Sequence, residues 1–466
     1  LAPAPEIKKI KIHEERFMKK STLALAVAFG VMAQQASAAG FIEDSKASVS
    51  SRTMFWKNDQ RESNGDDTRE TATGLKFDYL SGFTQGTVGF GLDLQALVGI
   101  HLDGGRGNHV VSNAITPTDR DGSATDNWSR IGGNVKARFS KTELRLGNAL
   151  APSLPILTAN DGRILPAAYQ GGIVTSKELD GVTFTGGQLG KSIGRASSNW
   201  TELSVAGATE GSDQFRFAGA DWKVTKDLTL QYYFANLDDF YKQHFLGLVH
   251  VLPLGEDQSF KTDLRYFNSS ADGKNDSGAS GYGFNNNSGY AKHAGEVDNS
   301  TWSAMFTYTL GGHAILVGHQ EVGDDGGMVF LNQGNVTDNR GRPENNGGSS
   351  FYLFTDAMID GFNRAGTNTT FGQYSYDFAR VGVPGLKAQI AYLYGDDIRG
   401  NTEATKGRGY SQWERDMRVD YVIQSGPLKG LGTSLRQGSY RADSGLNSAN
   451  DADQVRVFVN YTYAFK

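Results

Sequence analysis

Past residue 38, no stretch of this chain reaches the roughly 18 consecutive apolar residues a helix needs to cross a bilayer. Segment after segment nevertheless alternates apolar with polar residues. The last one shows it most plainly: Val455, Val457, Val459, Tyr461, Tyr463 and Phe465 are interleaved with Arg456, Phe458, Asn460, Thr462 and Ala464. Side chains along a strand point to opposite faces in turn, so this period gives a strand with one oily and one largely polar face. The pattern recurs at Val135, Ala137 and Phe139 against Lys136 and Arg138, and at Leu144 and Leu146 against Glu143 and Arg145. It returns at Val182 and Phe184, at Leu228 to Phe234, at Leu264 and Tyr266 against Asp263 and Arg265, and at Ile390, Tyr392 and Tyr394.

The start of the chain supplies an address. Met18-Lys19-Lys20 is a positive segment, Leu23 to Ala33 is a short apolar run, and Ala36-Ser37-Ala38 is a small-residue cleavage site. Residues 18–38 are therefore expected to be a secretory signal peptide. Residues 1–17 are superfluous to that scheme. They are read as an extension ahead of the true start, from an early-assigned start codon or an added tag. An exported chain of half-oily strands must satisfy every backbone donor and acceptor within hydrocarbon, and a closed sheet does so. The expectation is an all-β, transmembrane antiparallel β-barrel over residues 39–466. That length suits about 16 to 18 strands of about ten residues plus loops. Short turns such as Val383-Pro384-Gly385-Leu386 alternate with long polar connections, including 269–299 and 324–350, which read as mobile loops. A barrel this wide keeps an aqueous lumen.

One connection departs from the others. Between Gly147 and Val182 the alternation stops, and Pro152, Pro155 and Pro166 exclude a central strand. Yet it carries Leu154, Ile156, Leu157, Ile164, Leu165 and Tyr169, so it needs a surface to fold against. At its centre Asn160-Asp161-Gly162-Arg163 forms a turn presenting one arginine.

The stretch SKTELRLGNALAPSLPILTANDGRILPAAYQGG, followed by TSKELDG, resembles the OprD family of substrate-specific outer-membrane porins. GFIEDS near residue 40, GFTQGTVGFGLDLQALVGIHLDGGRG, DFYKQHFLGLVHVLPLGEDQSFKTDLRYF and SGPLKGLGTSLRQGSY extend the likeness over nearly the whole exported chain. The resemblance implies eighteen strands, an inward-folded constriction loop at about 150–170, and an aromatic-rich last strand read by the outer-membrane assembly machinery. It also implies a ladder of basic residues along which a substrate carboxylate slides.

Closure of a barrel brings the first strand beside the last. Arg52, Arg418, Arg436 and Arg456 then become candidates for one basic wall, with Lys136, Arg138 and Arg145 on early strands and Arg163 on the inserted loop. Guanidinium pairs carboxylate bidentately and stays charged, and several weak sites in series let an anion both bind and leave. Some of these charges have an acid two positions away on their own face: Glu143 for Arg145, Asp420 for Arg418 and Asp263 for Arg265. Arg436 and Arg456 have none. Arg163 is either a pore-facing residue or an anchor tying its loop to the wall; the reading favours the pore.

The expected function is passive diffusion of small carboxylate-containing nutrients, amino acids or aromatic and other organic acids, through a monomer or weak trimer set in outer-membrane lipid. The alternatives are a general diffusion porin and, from a different class, a barrel-embedded serine-type hydrolase. No cofactor is expected. Histidines lack metal-ligand spacing, cysteine is absent, no Gly-x-Ser-x-Gly elbow occurs, and dispersed Lys and Arg argue against nucleic acid. No catalytic residue is assigned.

Overall fold

The structure, a computed structural model, describes residues 40–465 except 62–66, 105–107, 110–114, 120, 287–288, 332–348, 403–404 and 447–450. The signal segment and residues 1–17 thus lie outside the described residues. The strands are β1 (Lys46–Gln60), β2 (Thr68–Leu80), β3 (Val88–Asp103), β4 (Asn127–Phe139), β5 (Thr142–Leu150), β6 (Ser153–Leu154), β7 (Leu157–Thr158), β8 (Ala168–Ser176), β9 (Val182–Ile193) and β10 (Phe215–Lys223). They continue as β11 (Leu228–Leu237), β12 (Tyr241–Gly255), β13 (Gln258–Ala271), β14 (Asp298–Leu310), β15 (His313–Val322), β16 (Asn368–Asp377), β17 (Leu386–Arg399), β18 (Gly409–Val422), β19 (Gly432–Ala442) and β20 (Ala452–Ala464). All but the two-residue β6 and β7 belong to one 18-stranded antiparallel sheet. β20 pairs with β1 in the register Arg52↔Asn460 and Trp56↔Arg456, so the sheet closes on itself. This is the closed barrel that the alternation demands, at the upper end of the range set by length.

The outer face carries the oily half of each strand. Met417, Val419 and Tyr421 on β18, Leu435 on β19 and Val459 and Tyr463 on β20 are all exposed. An outer face this rich in exposed apolar side chains fits hydrocarbon and not water. Short turns close one end, as at 140–141 between β4 and β5 and 311–312 between β14 and β15. Long connections leave the other.

Those long connections do not drift in solvent. Phe284 and Val297 from the 272–297 connection, and Met328, Val329 and Leu331 from 323–331, are buried with Leu203 and Val205 from 194–214. They pack on inward-facing Phe215, Phe217, Tyr233, Phe245 and Phe267 of β10 to β13. The expectation of mobile loops over 269–299 and 324–350 is corrected for their described parts. Gly, Ser and Asn dominate those stretches, but a few interspersed apolar residues suffice to fold them into the barrel mouth. The connection between β3 and β4 also docks: Ile115 and Thr116 are buried, and Thr116 Oγ1 donates to Glu70 of β2 (2.8 Å).

The apolar insertion after β5 finds its surface in two places. Ile156 and Leu157 join the cluster against β10 to β13. Ile164 and Leu165 join Met54, Trp56, Trp128 and Phe458 on the opposite side. Gly74 of β2 makes room, since a Cβ there would lie 2.6 Å from Ile164 Cγ2. The insertion therefore spans the lumen and is held at both ends by burial.

Candidate functional site

Two inward-folded segments narrow the lumen. The first is the insertion 151–167. The second is a strap at 351–367, ahead of β16. Glu414 on β18 accepts from the backbone N–H groups of Ile359 (2.7 Å) and Asp360 (2.9 Å), and Asp416 accepts from Met358 N–H (3.1 Å). Arg364 pairs with Asp360 (3.3 Å) and donates to Gln412 (2.8 Å). Carboxylates thus satisfy buried amides that would otherwise lack partners. Asn160 Nδ2 donates to Ser350 Oγ (3.1 Å), tying the insertion to the start of the strap. Between them lies a cavity of about 730 Å³.

Three guanidinium groups form one row on its wall. Arg418 of β18 pairs in register with Arg436 of β19, which pairs with Arg456 of β20. Residues directly opposite on neighbouring strands share a face, so all three point inward. Arg418 Nε donates to Asp420 (2.6 Å). Arg436 Nε donates to Ser434 Oγ (3.2 Å) and its guanidinium lies 4.6 Å from the Phe458 ring centroid. Arg456 donates to Gln454 Oε1 (2.7 Å) and to Met358 O. Among the described residues Arg436 and Arg456 make no ion pair. Cation–π stacking leaves a guanidinium edge free to donate.

Arg52 stands apart from that row. It is level with Asn460, four residues along β20 from Arg456. It donates to Asp161 Oδ1 (2.7 Å), Asp161 O (2.9 Å) and Arg163 O (2.8 Å). Of the four arginines expected on one basic wall, Arg418, Arg436 and Arg456 stand at one level, whereas Arg52 lies further along the barrel and holds the insertion. The register of closure, which composition cannot set, puts it there. Arg163 borders the cavity but is buried, 5.4 Å from the Trp56 ring centroid, and donates to Gly162 O (3.1 Å). Burial pushes its guanidinium well below the usual range. It serves more as an anchor than as an exposed pore residue. Asn160 accepts from Gly162 N–H (2.8 Å), holding the turn.

Three other basic residues are elsewhere. Lys136 is buried, donating to Asp93 (2.7 Å) and Ser81 O (2.7 Å), so it is corrected from ladder residue to internal ion pair. Arg138 and Arg145 line a separate cavity of about 690 Å³ towards the short-turn end, where Arg145 pairs with Glu143 (2.5 Å) and Arg138 stacks on Phe83.

Sequence reasoning missed Arg195, Asp356, Glu414 and Asp416. Glu414, Asp416, Arg418 and Asp420 share one face of β18, so parity could have exposed the two acids. Arg195 and Asp356 lie in connections without period, where no local signal marks them. Arg195 is lowered to about 10 by burial.

A closed transmembrane barrel of this size, narrowed by segments from within, is an outer-membrane diffusion channel. The profile of the OprD family of outer membrane porins matches residues 39–465, and the chain belongs to that family. It is 32% identical to Porin D of Pseudomonas aeruginosa, covering 96% of this chain and 99% of the relative, and 34% identical to the porin-like protein GalP of Pseudomonas putida, covering 94% and 96%. Among solved structures, Pseudomonas aeruginosa OccK8 (OprE) superposes with a TM-score of 0.80 at 43% identity, over 92% of this chain and all of the other. Pseudomonas aeruginosa OpdK, solved with vanillate, superposes at 0.77 and 31% identity, over 91% and all of the other. These relatives are channels for small molecules in the outer membrane, and so is this protein.

Proposed function

We propose that the channel gives passive, selective passage to small carboxylate-bearing solutes, which move along the Arg418–Arg436–Arg456 row past the constriction. The observation that carries this reading is the register: three guanidinium groups on consecutive strands, at one level, facing one cavity. Among the described residues, two of them lack an acid partner. In a narrow lumen the field of such a row is focused, and hydrogen bonds to a charged acceptor are stronger than to a neutral one. Vanillate, present with the related OpdK, is a carboxylate of suitable size. Arg52 and Arg163 act through the insertion by fixing its position, and Arg138 and Arg145 form a second basic station towards the short-turn end. We further propose that residues 18–38 are removed on export and that one barrel suffices for passage.

Planar-bilayer and liposome-swelling measurements on purified protein test this. Carboxylates should permeate faster than neutral sugars of equal size. Arg436→Ala together with Arg456→Ala should slow carboxylates about tenfold, equivalent to the loss of one or two charge-assisted hydrogen bonds, and leave neutral sugars unchanged. Equal loss for both solutes would exclude a selective row.

A further inference from the structure

The strap places one more carboxyl among these arginines. Asp356 lies on the strap and borders the same cavity. Its carboxylate accepts from Ser350 and from Phe351 N–H. Ser350 also receives Asn160, so one hydroxyl joins the strap's carboxyl to the insertion.

The charges around Asp356 come from several elements. Arg195 of the 194–214 connection and Arg456 of β20 act on it directly. Arg163 of the insertion, Arg418 of β18 and Arg436 of β19 line the same space. The neighbouring acids Glu414 and Asp416 also act on Arg456. Glu414 and Asp416 hold strap amides, and Asp360 accepts from Phe362 N–H (2.8 Å) and pairs with Arg364. Asp356 thus shares its cavity with five arginines, in the region that a permeating anion must cross.

We propose that Asp356 is a tethered carboxylate that competes with the permeating anion for the Arg195 and Arg456 guanidinium groups, so the channel's own strap sets how tightly it holds its substrate. The inference rests on the guanidinium row carrying anions. When ionised, Asp356 offsets part of the positive field and repels an incoming anion. When protonated, it withdraws that competition and the arginines face the lumen. Crowding by protein raises this carboxyl to about 6, so the exchange falls in an accessible range. The sign follows: above pH 6 the competitor is charged and the anion is held weakly; below pH 6 it is neutral and the anion is held more tightly.

The test uses benzenesulfonate, a strong acid that stays charged throughout, so only the protein titrates. Its half-saturating concentration is measured with the purified full barrel in planar bilayers at pH 7.5 and pH 5. The native channel should bind about fivefold more tightly at pH 5. Asp356→Asn should show the tight value at both, and Asp356→Glu should keep the pH dependence. Heat-modifiability on gels verifies that each variant barrel is folded. Two results overturn the proposal: Asp356→Asn retaining the native pH dependence, or Asp356→Asn binding more weakly than the native channel at pH 5. Arg436→Ala separates the two levels of inference. If it leaves the half-saturating concentration at pH 5 unchanged, the guanidinium row itself carries no anion. If it weakens binding while Asp356→Asn still titrates like the native channel, only the competitor is lost.

Discussion

The two sides of the lumen use opposite chemistry on the same scaffold. The β10–β13 side presents Phe215, Phe217, Tyr233, Phe245 and Phe267 inward and is filled by folded connections. The β18–β20 side presents Arg418, Arg436 and Arg456 inward and remains open to a cavity. Both obey the same alternation, so a barrel's inner face need not be polar. It is polar where it borders the open cavity. Aromatic packing on one side anchors the segments that narrow the pore, and the charged side is the one proposed to discriminate among solutes.

Four substitutions can break or sharpen that contrast, in descending order of effect. Phe245→Ala removes a fully buried ring that packs on Phe267 at 4.7 Å and should destabilise the barrel by about 3–5 kcal/mol, the usual cost of a large cavity in a core. Urea unfolding followed by tryptophan fluorescence measures it, and single-channel current should become noisier as the anchored segments loosen. A variant as stable and as quiet as the native channel would mean that this side is passive filler.

Lys136→Ala leaves Asp93 buried without its ammonium, a loss of about 3 kcal/mol by analogy with broken internal ion pairs. The ratio of carboxylate to sugar flux should be unchanged, because this lysine does not face the permeating solute. A changed ratio at native stability would return it to the conduction path.

Arg52→Ala releases the clamp on Asp161 and Arg163 while leaving the three-arginine row intact. The partly exposed pair itself contributes about 1 kcal/mol or less. The expected outcome is a modest rise in conductance to neutral sugars, seen by liposome swelling, with carboxylate preference blunted but not lost. A collapse of carboxylate flux alone would place Arg52 on the path instead of on the loop.

The smallest effect is expected at Arg145→Ala, whose guanidinium is half exposed and already paired with Glu143. Carboxylate flux should fall by less than about twofold. A tenfold fall would make the short-turn cavity the limiting step and demote the Arg436 wall.

Period-2 alternation made the barrel legible, because which face a strand side chain takes depends only on its parity. Arg418, Arg436 and Arg456 could be assigned to the lumen on that basis, and Lys136 and Arg145 with equal justice. Parity does not say what a lumen residue meets. Lys136 meets Asp93 across the β3–β4 pair, and Arg52 meets Asp161 more than a hundred residues away. The strap is harder still. Met358 and Ser350 lie in a connection without period; Met358 meets Asp416 and Arg456, and Ser350 meets Asn160.

The chain's local pattern alone determined an oily outside, a closed sheet and an insertion too apolar to remain in water, since each follows from hydrogen-bonding capacity and hydrophobicity along the backbone. Only the tertiary structure decided the level of each arginine, which connections fill the lumen and which carboxyl stands among the guanidinium groups. Those depend on the register at which β20 closes on β1 and on packing between segments remote in sequence, where small differences in burial and pairing choose one arrangement among many of equal parity.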